Sequence, residues 1–318
     1  MEVCLAEEIL DVVIVGGGPA GLTAGIYLAR ARMEALLLEK QAPGGAPALT
    51  EKIENYPGFP EGISGFELVD RMRRQAESFG LRIKSFNALT GLRSDGQAKV
   101  LETEEGELRA YAAILAMGMS PAPLGVPGEE EFHGKGVSYC ATCDGAFFRD
   151  ARVAVVGGGN SAVEEALFLT RFVDKLYVVH RRDRLRAGKI LQERLLTNPK
   201  VEMKWKKTVK EIKGDSKVKG LLLADVESGE TEELAVDGVF LYVGNIPNTE
   251  PVKSAVELDE KGYIVTDMSL QTSMAGVFAA GDVRSGAVWQ VAAAVGDGAR
   301  AALNAQFYVE SLKGTAYI

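Results

Sequence analysis

One local pattern occurs twice in this chain of 318 residues, and it restricts the fold more than any other feature of the sequence. In each copy, a short run of apolar and β-branched residues leads directly into a glycine-rich turn and then into a helical segment. The two copies begin at residues 11 and 152. A buried strand that enters a helix through such a turn is the start of a dinucleotide-binding βαβ unit. The repeat predicts an α/β fold with two Rossmann-like, three-layer, dinucleotide-binding domains.

The first copy has the features of an FAD or NAD site. Gly16, Gly18 and Gly21 form a Gly-x-Gly-x-x-Gly turn, which lets backbone N–H groups approach a pyrophosphate at the helix N-terminus. The next strand ends in Glu39, 18 residues after Gly21. A carboxylate at that position can accept hydrogen bonds from both ribose hydroxyls and would repel a 2′-phosphate. We therefore predict FAD or NAD, rather than NADP, at this turn.

The second copy ends differently. Its turn reads Gly157-x-Gly159-x-x-Ala162, and the strand that follows, residues 175–179, is succeeded by basic residues instead of an acid. These residues are His180, Arg181, Arg182 and Arg186. Guanidinium groups at this strand end can pair with a 2′-phosphate. The alternative is a solvated basic stretch that opens the next helix. The position is the one where NAD and NADP sites differ, so we predict NADPH.

Two different nucleotides in one chain indicate a flavin and its reductant. A C-terminal apolar run, residues 276–280, leads into Gly281 and Asp282. Asp282 at the carboxyl end of a strand is well placed to bind a ribitol hydroxyl of the flavin. It could equally be the N-cap of the helix that follows.

The chain also contains one closely spaced cysteine pair, Cys140 and Cys143, 17 residues before the second turn. A structural zinc site usually needs four protein ligands. The remaining candidates, Cys4, His133 and His180, include no second Cys-x-x-Cys, so we predict no metal site. A redox role fits better, and it completes an electron path from nicotinamide through flavin to a disulfide. Asp144 follows Cys143 directly and could move the proton that dithiol chemistry requires, or it could serve as a turn residue before Gly145.

Composition limits the partners and the compartment. A net charge of −8 argues against nucleic acid or an anionic membrane as the main partner. No apolar run approaches the ~20 residues that a membrane span needs. Three cysteines are too few for a disulfide scaffold. Residues 1–10 contain three glutamates and no lysine or arginine, which is not the pattern of a secretory signal. We therefore expect a cytoplasmic enzyme.

Taken together, these motifs resemble the low-molecular-weight thioredoxin reductases of bacteria and archaea over nearly the whole chain. The stretches that carry the resemblance are residues 16–21, 54–59, 140–145, 157–162, 180–186 and 280–282. The resemblance implies a homodimeric enzyme that passes electrons from NADPH through FAD and a Cys140–Cys143 disulfide to thioredoxin. It also implies that the NADPH domain rotates between the two half-reactions.

The resemblance further implies a role for individual residues. Cys143 would face the flavin, Cys140 would attack the partner disulfide, and Asp144 would be the general acid. The residues expected at FAD are Gly16, Gly18, Pro19, Ala20, Gly21, Glu39, Lys40, Gly45, Asn55, Gly281, Asp282, Gln290 and Val291. The residues expected at NADPH are Gly157, Gly159, Asn160, Ser161, His180, Arg181, Arg182 and Arg186.

The positions of the motifs predict an interrupted domain. The FAD-binding domain would comprise residues 1–117 and 248–318, because Gly281 and Asp282 return to the cofactor of the first turn. The NADPH-binding domain, residues 118–247, would carry the cysteine pair. Both expected crossings, residues 118–121 and 244–248, are rich in glycine and proline, as linkers are.

Two positions depart from the family pattern, and other functions stay open. Trp289 stands where the family commonly has an arginine before Gln290, and Met117 stands where it often has a threonine. One alternative is the same electron path to a different protein disulfide, in a peroxiredoxin or a glutaredoxin-like protein. A second is an NADPH–ferredoxin or flavodoxin reductase, which would need no Cys-x-x-Cys. A third is a binding protein that keeps the fold without catalysis.

Overall fold

The computed structural model describes residues 9–316, so Cys4 and most of the N-terminal segment discussed above lie outside the described residues. The chain divides into two compact units. The outer unit comprises Met1–Ser120 and Ile246–Ile318, and the inserted unit comprises Pro121–Asn245. The chain therefore crosses from one unit to the other twice.

Within residues 9–316 the structure has 17 strands and six α-helices. The strands are β1 (Leu10–Val15), β2 (Ala35–Glu39), β3 (Arg82–Ser85), β4 (Leu89–Asp95), β5 (Ala98–Thr103), β6 (Gly106–Leu115), β7 (Met119–Pro121), β8 (Val137–Ser138), β9 (Arg152–Gly157), β10 (Lys175–His180), β11 (Val201–Trp205), β12 (Lys207–Gly214), β13 (Val218–Asp225), β14 (Thr231–Ala235), β15 (Gly238–Tyr242), β16 (Asn245–Pro247) and β17 (Val277–Ala279). The helices are α1 (Pro19–Arg30), α2 (Gly65–Ser78), α3 (Ala141–Asp144), α4 (Asn160–Leu169), α5 (Lys189–Leu196) and α6 (Val291–Lys313).

The outer unit is built on a seven-stranded sheet in the order β3-β2-β1-β6-β5-β4, with β17 paired to β6. Strands β3, β2, β1, β6 and β17 are parallel, whereas β5 and β4 are antiparallel additions. Successive β1 residues face opposite sides of the sheet. Val12 and Ile14 join one core with α1, α2 and α6, and Val13 and Val15 join a second core on the other face. This burial on both faces explains why β1 is continuously apolar.

The inserted unit repeats the arrangement on a smaller scale. Its parallel sheet has the order β11-β10-β9-β15-β8. Val153 and Val155 of β9 face the core that includes α4 and α5, while Ala154 and Val156 face the antiparallel sheet β12-β13-β14. The unit is therefore three-layered.

The two crossings are short strands, β7 and β16, and they pair with each other. The predicted α/β fold with Rossmann-like units is confirmed. Among residues 9–316, no helix is both long and apolar enough to span a membrane. In the same part of the chain, no three His, Cys, Asp or Glu side chains gather as metal ligands would.

Candidate functional site

The first turn can be built only with small residues. Gly16 has φ +106°, and a Cβ there would lie 2.3 Å from the carbonyl oxygen of Ala116. A Cβ on Gly21 would lie 1.8 Å from the carbonyl oxygen of Gly16. The turn therefore lies tightly against the end of β6 and leaves the start of α1 accessible to a phosphate group.

The carboxylate of Glu39 lies at this turn, as the sequence predicts. The backbone N–H of Gly17 donates to Glu39 Oε2 at 2.7 Å, and that of Gln41 donates to Oε1 at 2.9 Å. These bonds orient the carboxylate, and each oxygen keeps a lone pair for a further donor. Lys40, the next residue, is exposed.

Gly281 returns to the first turn from the far end of the chain. It has φ +73°, and a Cβ there would lie 3.0 Å from the Cβ of Ala20. Its neighbour Asp282 is mostly buried, and its Oδ1 has no hydrogen-bond partner within residues 9–316. Burial, with a smaller contribution from the charge of Asp297, raises the pKa of Asp282 to about 6. An orphaned carboxyl atom beside the turn fits a hydroxyl ligand such as that of a ribitol chain.

The alternative role for Asp282, as an N-cap of the helix that follows, is wrong. That helix, α6, begins well beyond it, with Gln290 as its cap residue. Asp282 instead belongs to a short 3-10 helix, Gly281–Val283.

Three further predicted FAD residues lie together at the start of α6. Asn55 Nδ2 donates to Gln290 Oε1 at 2.9 Å, and Val291 is the first residue of α6. On the other side of the turn, Gly45 has φ +62°, and a Cβ there would lie 3.0 Å from the Cα of Gly18. Gly45 and Gly281 thus pack directly on the first turn, while Asn55 and Gln290 bond to each other at the start of α6.

A cavity that the sequence did not predict adjoins Glu39. Its volume is about 280 Å³, and residues from several segments line it. They include Gly16, Glu39, Lys40, Asn87, Ala88, Met117 and Asn248. Asn87 is buried, and both polar atoms of its side chain lack partners within residues 9–316. A cavity with an unpaired amide beside a ribose acceptor fits the adenosine end of FAD.

The second turn is tied to the basic segment. Gly157 has φ +155°, and a Cβ there would lie 2.7 Å from the Cβ of Ala162. The backbone N–H of Arg186 donates to the carbonyl oxygen of Gly158 at 2.7 Å. Asn160 Oδ1 accepts from the N–H of Gly188 at 2.8 Å. These bonds hold Arg186 and the start of α5 beside the N-terminus of α4, where Ser161 also lies.

The three arginines are exposed, whereas His180 is buried. The His180 ring meets Trp205 edge to face at 6.2 Å between centroids, and its Nε2 has no partner within residues 9–316. Burial lowers the pKa of His180, and the charges of Arg186, Arg182 and Arg181 lower it further. A neutral imidazole therefore lies beneath a cationic surface that can take a phosphate.

Cys140 and Cys143 form a disulfide with a Cα–Cα distance of 5.4 Å. Cys140 is half-buried and Cys143 is exposed. Asp144 lies close by, because the hydroxyl of Ser138 donates to Asp144 Oδ2 at 2.6 Å and accepts from the N–H of Cys140 at 3.0 Å. Asp144 is the last residue of the four-residue helix α3 and directly precedes a 3-10 helix, Gly145–Phe148, so a local structural role is compatible with a role in proton transfer.

Behind the disulfide lies a polar pair that the sequence did not predict. The hydroxyl of Tyr242 accepts from the N–H of Ala141 at 2.9 Å, and the buried carboxyl of Glu165 lies next to both. Burial raises the pKa of Glu165 to about 7, and the charge of Glu164 adds to the effect. Burial also raises the pKa of Tyr242 well above its ordinary value.

The two departures from the family pattern have visible neighbours. Trp289 stacks on Tyr263 with 6.1 Å between ring centroids and 24° between planes. Met117 lines the cavity beside Glu39, and its carbonyl oxygen accepts from Asn248 Nδ2 at 2.8 Å. Trp289 thus replaces a charged side chain with an aromatic contact within the outer unit.

Comparison with known proteins gives one consistent family. Residues 10–298 match the pyridine nucleotide-disulphide oxidoreductase family. The thioredoxin reductase of Bacillus subtilis is 46% identical over 97% of this chain and 98% of its own length.

Two solved thioredoxin reductases share 45% sequence identity with this chain. The Lactococcus lactis enzyme, in its FR conformation, has a TM-score of 0.93 over 95% of this chain and 99% of its own. The Streptococcus pyogenes enzyme has a TM-score of 0.64 over 96% of this chain and 100% of its own.

Proposed function

Because this chain belongs to the pyridine nucleotide-disulphide oxidoreductase family and is closely related to thioredoxin reductases, we propose that it reduces the disulfide of thioredoxin with electrons from NADPH. The enzyme is an oxidoreductase with FAD as its internal carrier. The observation that carries the proposal is the Cys140–Cys143 disulfide in the same unit as the arginine-edged turn.

Several features of the outer unit support FAD at the first turn. The Glu39 carboxylate offers acceptors to an adenosine ribose, the cavity beside it offers room for a base, and Asp282 offers an unpaired oxygen to a ribitol hydroxyl. When bound, the flavin accepts a hydride from NADPH and passes two electrons to a disulfide. Gly45, Asn55 and Gln290 would complete the binding site on either side.

The inserted unit supports NADPH at the second turn. Arg181, Arg182 and Arg186 are exposed and close enough to lower the pKa of His180, so their charges act on the same small volume. A 2′-phosphate is the ligand that such a cluster favours over a ribose hydroxyl.

The chain's own residues would then perform the disulfide chemistry. Electrons entering the Cys140–Cys143 bond release two sulfurs, of which Cys140 attacks the disulfide of thioredoxin. The leaving sulfur of thioredoxin needs a proton. Asp144 would supply it, oriented by the Ser138 hydroxyl that also binds the N–H of Cys140.

Rotation of the inserted unit would let the nicotinamide and the cysteine pair reach the flavin in turn. The Lactococcus lactis and Streptococcus pyogenes enzymes have the same sequence identity to this chain, yet their TM-scores are 0.93 and 0.64. Divergence of sequence does not explain that gap in TM-score, which supports a difference in conformation between the two solved structures. Short crossings such as β7 and β16 are where a hinge would absorb the change. A homodimer and a cytoplasmic location are further predictions.

The test uses Cys140→Ser and Cys143→Ser, with Cys4→Ser as the matched control. Anaerobic titration of the wild type should consume about two equivalents of NADPH per chain, one for flavin and one for the disulfide. Each mutant of the pair should consume about one, bleach its flavin normally and lose thioredoxin reduction. Cys4→Ser should behave as the wild type. Thioredoxin turnover by either mutant of the pair would contradict the proposed path.

Peroxiredoxin and glutaredoxin-like proteins remain as alternative acceptors, since the same electron path would serve them. A comparison of kcat/KM across purified candidates separates these acceptors. Ferredoxin reduction that persists in both cysteine mutants would support the reductase that needs no dithiol. If the purified protein contained no flavin, or contained a flavin that NADPH did not bleach, the result would support the non-catalytic alternative.

A further inference from the structure

A second carboxyl group, besides Asp144, lies at the redox disulfide. Glu165 is on α4, four residues beyond Ser161, and its side chain points toward α3. The backbone N–H groups of Ala141 and Thr142 face its carboxyl. These are the two residues between Cys140 and Cys143. Glu165 therefore contacts the short segment that the disulfide closes.

Tyr242 completes this buried cluster from β15. Its hydroxyl accepts from the N–H of Ala141 at 2.9 Å and also binds the carboxyl of Glu165. Glu165 Oε2 is buried without a hydrogen-bond partner of normal geometry within residues 9–316. One of the two carboxyl oxygens is thus buried beside the disulfide segment without a donor among the described residues, which disfavours the ionised form.

Each element packed on α4 contributes to the surroundings of Glu165. Its own helix contributes the charge of Glu164, and β15 contributes Tyr242. From α3 come the cysteine pair and Asp144, whose charge also acts on Tyr242. From β9, β10 and α5 come apolar side chains of the shared core, among them Val155, Val178 and Leu195. Neighbouring charges on Glu165 are therefore negative.

We propose that Glu165 is a positioning residue that links reduction of the Cys140–Cys143 bond to uptake of a proton. The link is electrostatic. An ionised Glu165 and a thiolate in the segment it contacts repel each other in a low-dielectric environment, so the carboxyl takes up a proton when the thiolate forms. The inference rests on the proposed function only in treating the cysteine pair as redox-active.

Electrons and protons balance in this step. Two electrons and one proton break the S–S bond and produce one thiol and one thiolate. An ionised Glu165 takes one more proton from solvent, so reduction consumes two protons at the site. Where Glu165 is already neutral, reduction consumes only the proton of the thiol. The electrons come from the reduced flavin in the enzyme or from a dithiol reagent in the test.

The pH range of the effect follows from the carboxyl. Burial places its pKa at about 7 in the disulfide form, and a thiolate would raise it further. Between this pH and the higher pKa that Glu165 has when the cysteine pair is reduced, reduction requires Glu165 to take up a proton. Reduction of the disulfide therefore becomes less favourable with each pH unit in this range. Below it, Glu165 is neutral in both forms and adds nothing to the pH dependence.

The test is equilibration of the holoenzyme with reduced and oxidised dithiothreitol at pH values from about 5.5 to 9. Free thiols are trapped with a maleimide and counted by mass spectrometry. Neither NADPH nor thioredoxin is needed. Oxidation of dithiothreitol releases protons of its own, but these cancel when the two proteins are compared at the same pH. We expect the ratio of the equilibrium constants for reduction, wild type over Glu165→Gln, to fall by up to about tenfold per pH unit above pH ~7 and to be constant below it.

Two more variants make the test independent of how well Glu165→Gln folds. Glu164→Gln removes a charge that raises the pKa of Glu165, so the change of slope should move to lower pH. Tyr242→Phe removes a hydroxyl that lowers it, so the change of slope should move to higher pH. The rotation, dimer and substrate do not enter these measurements.

A pH profile of Glu165→Gln that overlays the wild type would overturn the inference and leave the proposed function intact. The inference would also fail if Glu164→Gln and Tyr242→Phe leave the change of slope where it is. A disulfide that dithiothreitol cannot reduce at any pH would overturn the proposed function as well.

Discussion

Asn55 donates a hydrogen bond from its side-chain amide to Gln290 Oε1 at 2.9 Å, across 235 residues of sequence. The bond ties the segment between β2 and α2 to the residue that precedes α6. Both residues are predicted to contact the flavin, so we expect this bond to join two sides of that site. It also places Trp289, the neighbour of Gln290, beside that site.

Glu39 should determine both the identity and the affinity of the flavin. Released by heat and separated by chromatography, the flavin should be FAD, because FMN has no adenosine ribose for this carboxylate. Glu39→Gln should weaken FAD binding by about tenfold or more, since a charge-assisted hydrogen bond contributes ~1.5–3 kcal/mol. Glu61→Gln, at an exposed site, is the control. FMN as the bound flavin, or equal affinities, would sink this assignment.

Arg181 and Arg182 should set the preference for NADPH. The wild type should favour NADPH over NADH by more than about tenfold in kcat/KM. Replacing both arginines by alanine should remove most of that ratio by lowering kcat/KM for NADPH alone. Arg184→Ala offers a matched control, because Arg184 is exposed in the same segment and outside the predicted set. A wild type that uses both nucleotides equally would refute the assignment.

Asp282 should lower the folding stability of the flavin-free protein and strengthen the binding of FAD. The pKa of Asp282 in the folded protein is about 6, above the ordinary 3.8. The contribution of its protonated carboxyl to folding stability is therefore fully present below pH ~3.8 and is lost as pH rises through ~6. Flavin-free Asp282→Asn should therefore be more stable than the wild type at pH 7.5, by on the order of 1–3 kcal/mol in urea unfolding, and the gap should close near pH 4.

The same Asp282→Asn protein should bind FAD more weakly. Asp215→Asn, at an exposed surface position, is the control for both measurements. A mutant that is less stable than the wild type at about pH 7.5 would mean that the carboxylate has partners that compensate its burial.

Gly158 and His180 should be energetically coupled. A Cβ on Gly158 would lie 2.4 Å from Cε1 of the His180 ring, which is buried and cannot easily move. Gly158→Ala should cost ~1–3 kcal/mol of unfolding free energy by overpacking. In the His180→Ala background the same change should cost less, with a coupling of about 0.5 kcal/mol or more. If the effects of the two mutations on the unfolding free energy were additive, the His180 ring would be able to move away from the added methyl group.

The sequence predicts most of the first-order features, because they are local. β1, α1 and β2 begin and end within a few residues of the expected positions, since glycines, β-branched runs and a terminal acid occur in a short interval. The same holds for β9, α4 and β10. The disulfide between Cys140 and Cys143 agrees with the redox role that the sequence favours for this pair.

Features that depend on burial could not be predicted. Glu165 looks like any helical glutamate in the sequence, and only α3 and Tyr242 around it show that it is enclosed. Asn87 likewise becomes notable because both of its amide atoms are buried without partners among the described residues. The choice between ligand and N-cap for Asp282 depends on where α6 begins, which lies beyond the reach of a local pattern.

The discontinuity of the outer unit has a consequence for synthesis on the ribosome. The inserted unit is continuous, so every residue that it needs has been made once Asn245 has been added. The outer unit is different, because β6 needs β17, and a Cβ on Gly298 of α6 would lie 2.1 Å from the carbonyl oxygen of Ala20 in α1. The outer unit therefore cannot complete its core until α6 has been synthesised, whereas the inserted unit can fold earlier. A nascent chain stalled once residue 245 has left the ribosome should already contain the folded inserted unit while it still lacks bound flavin.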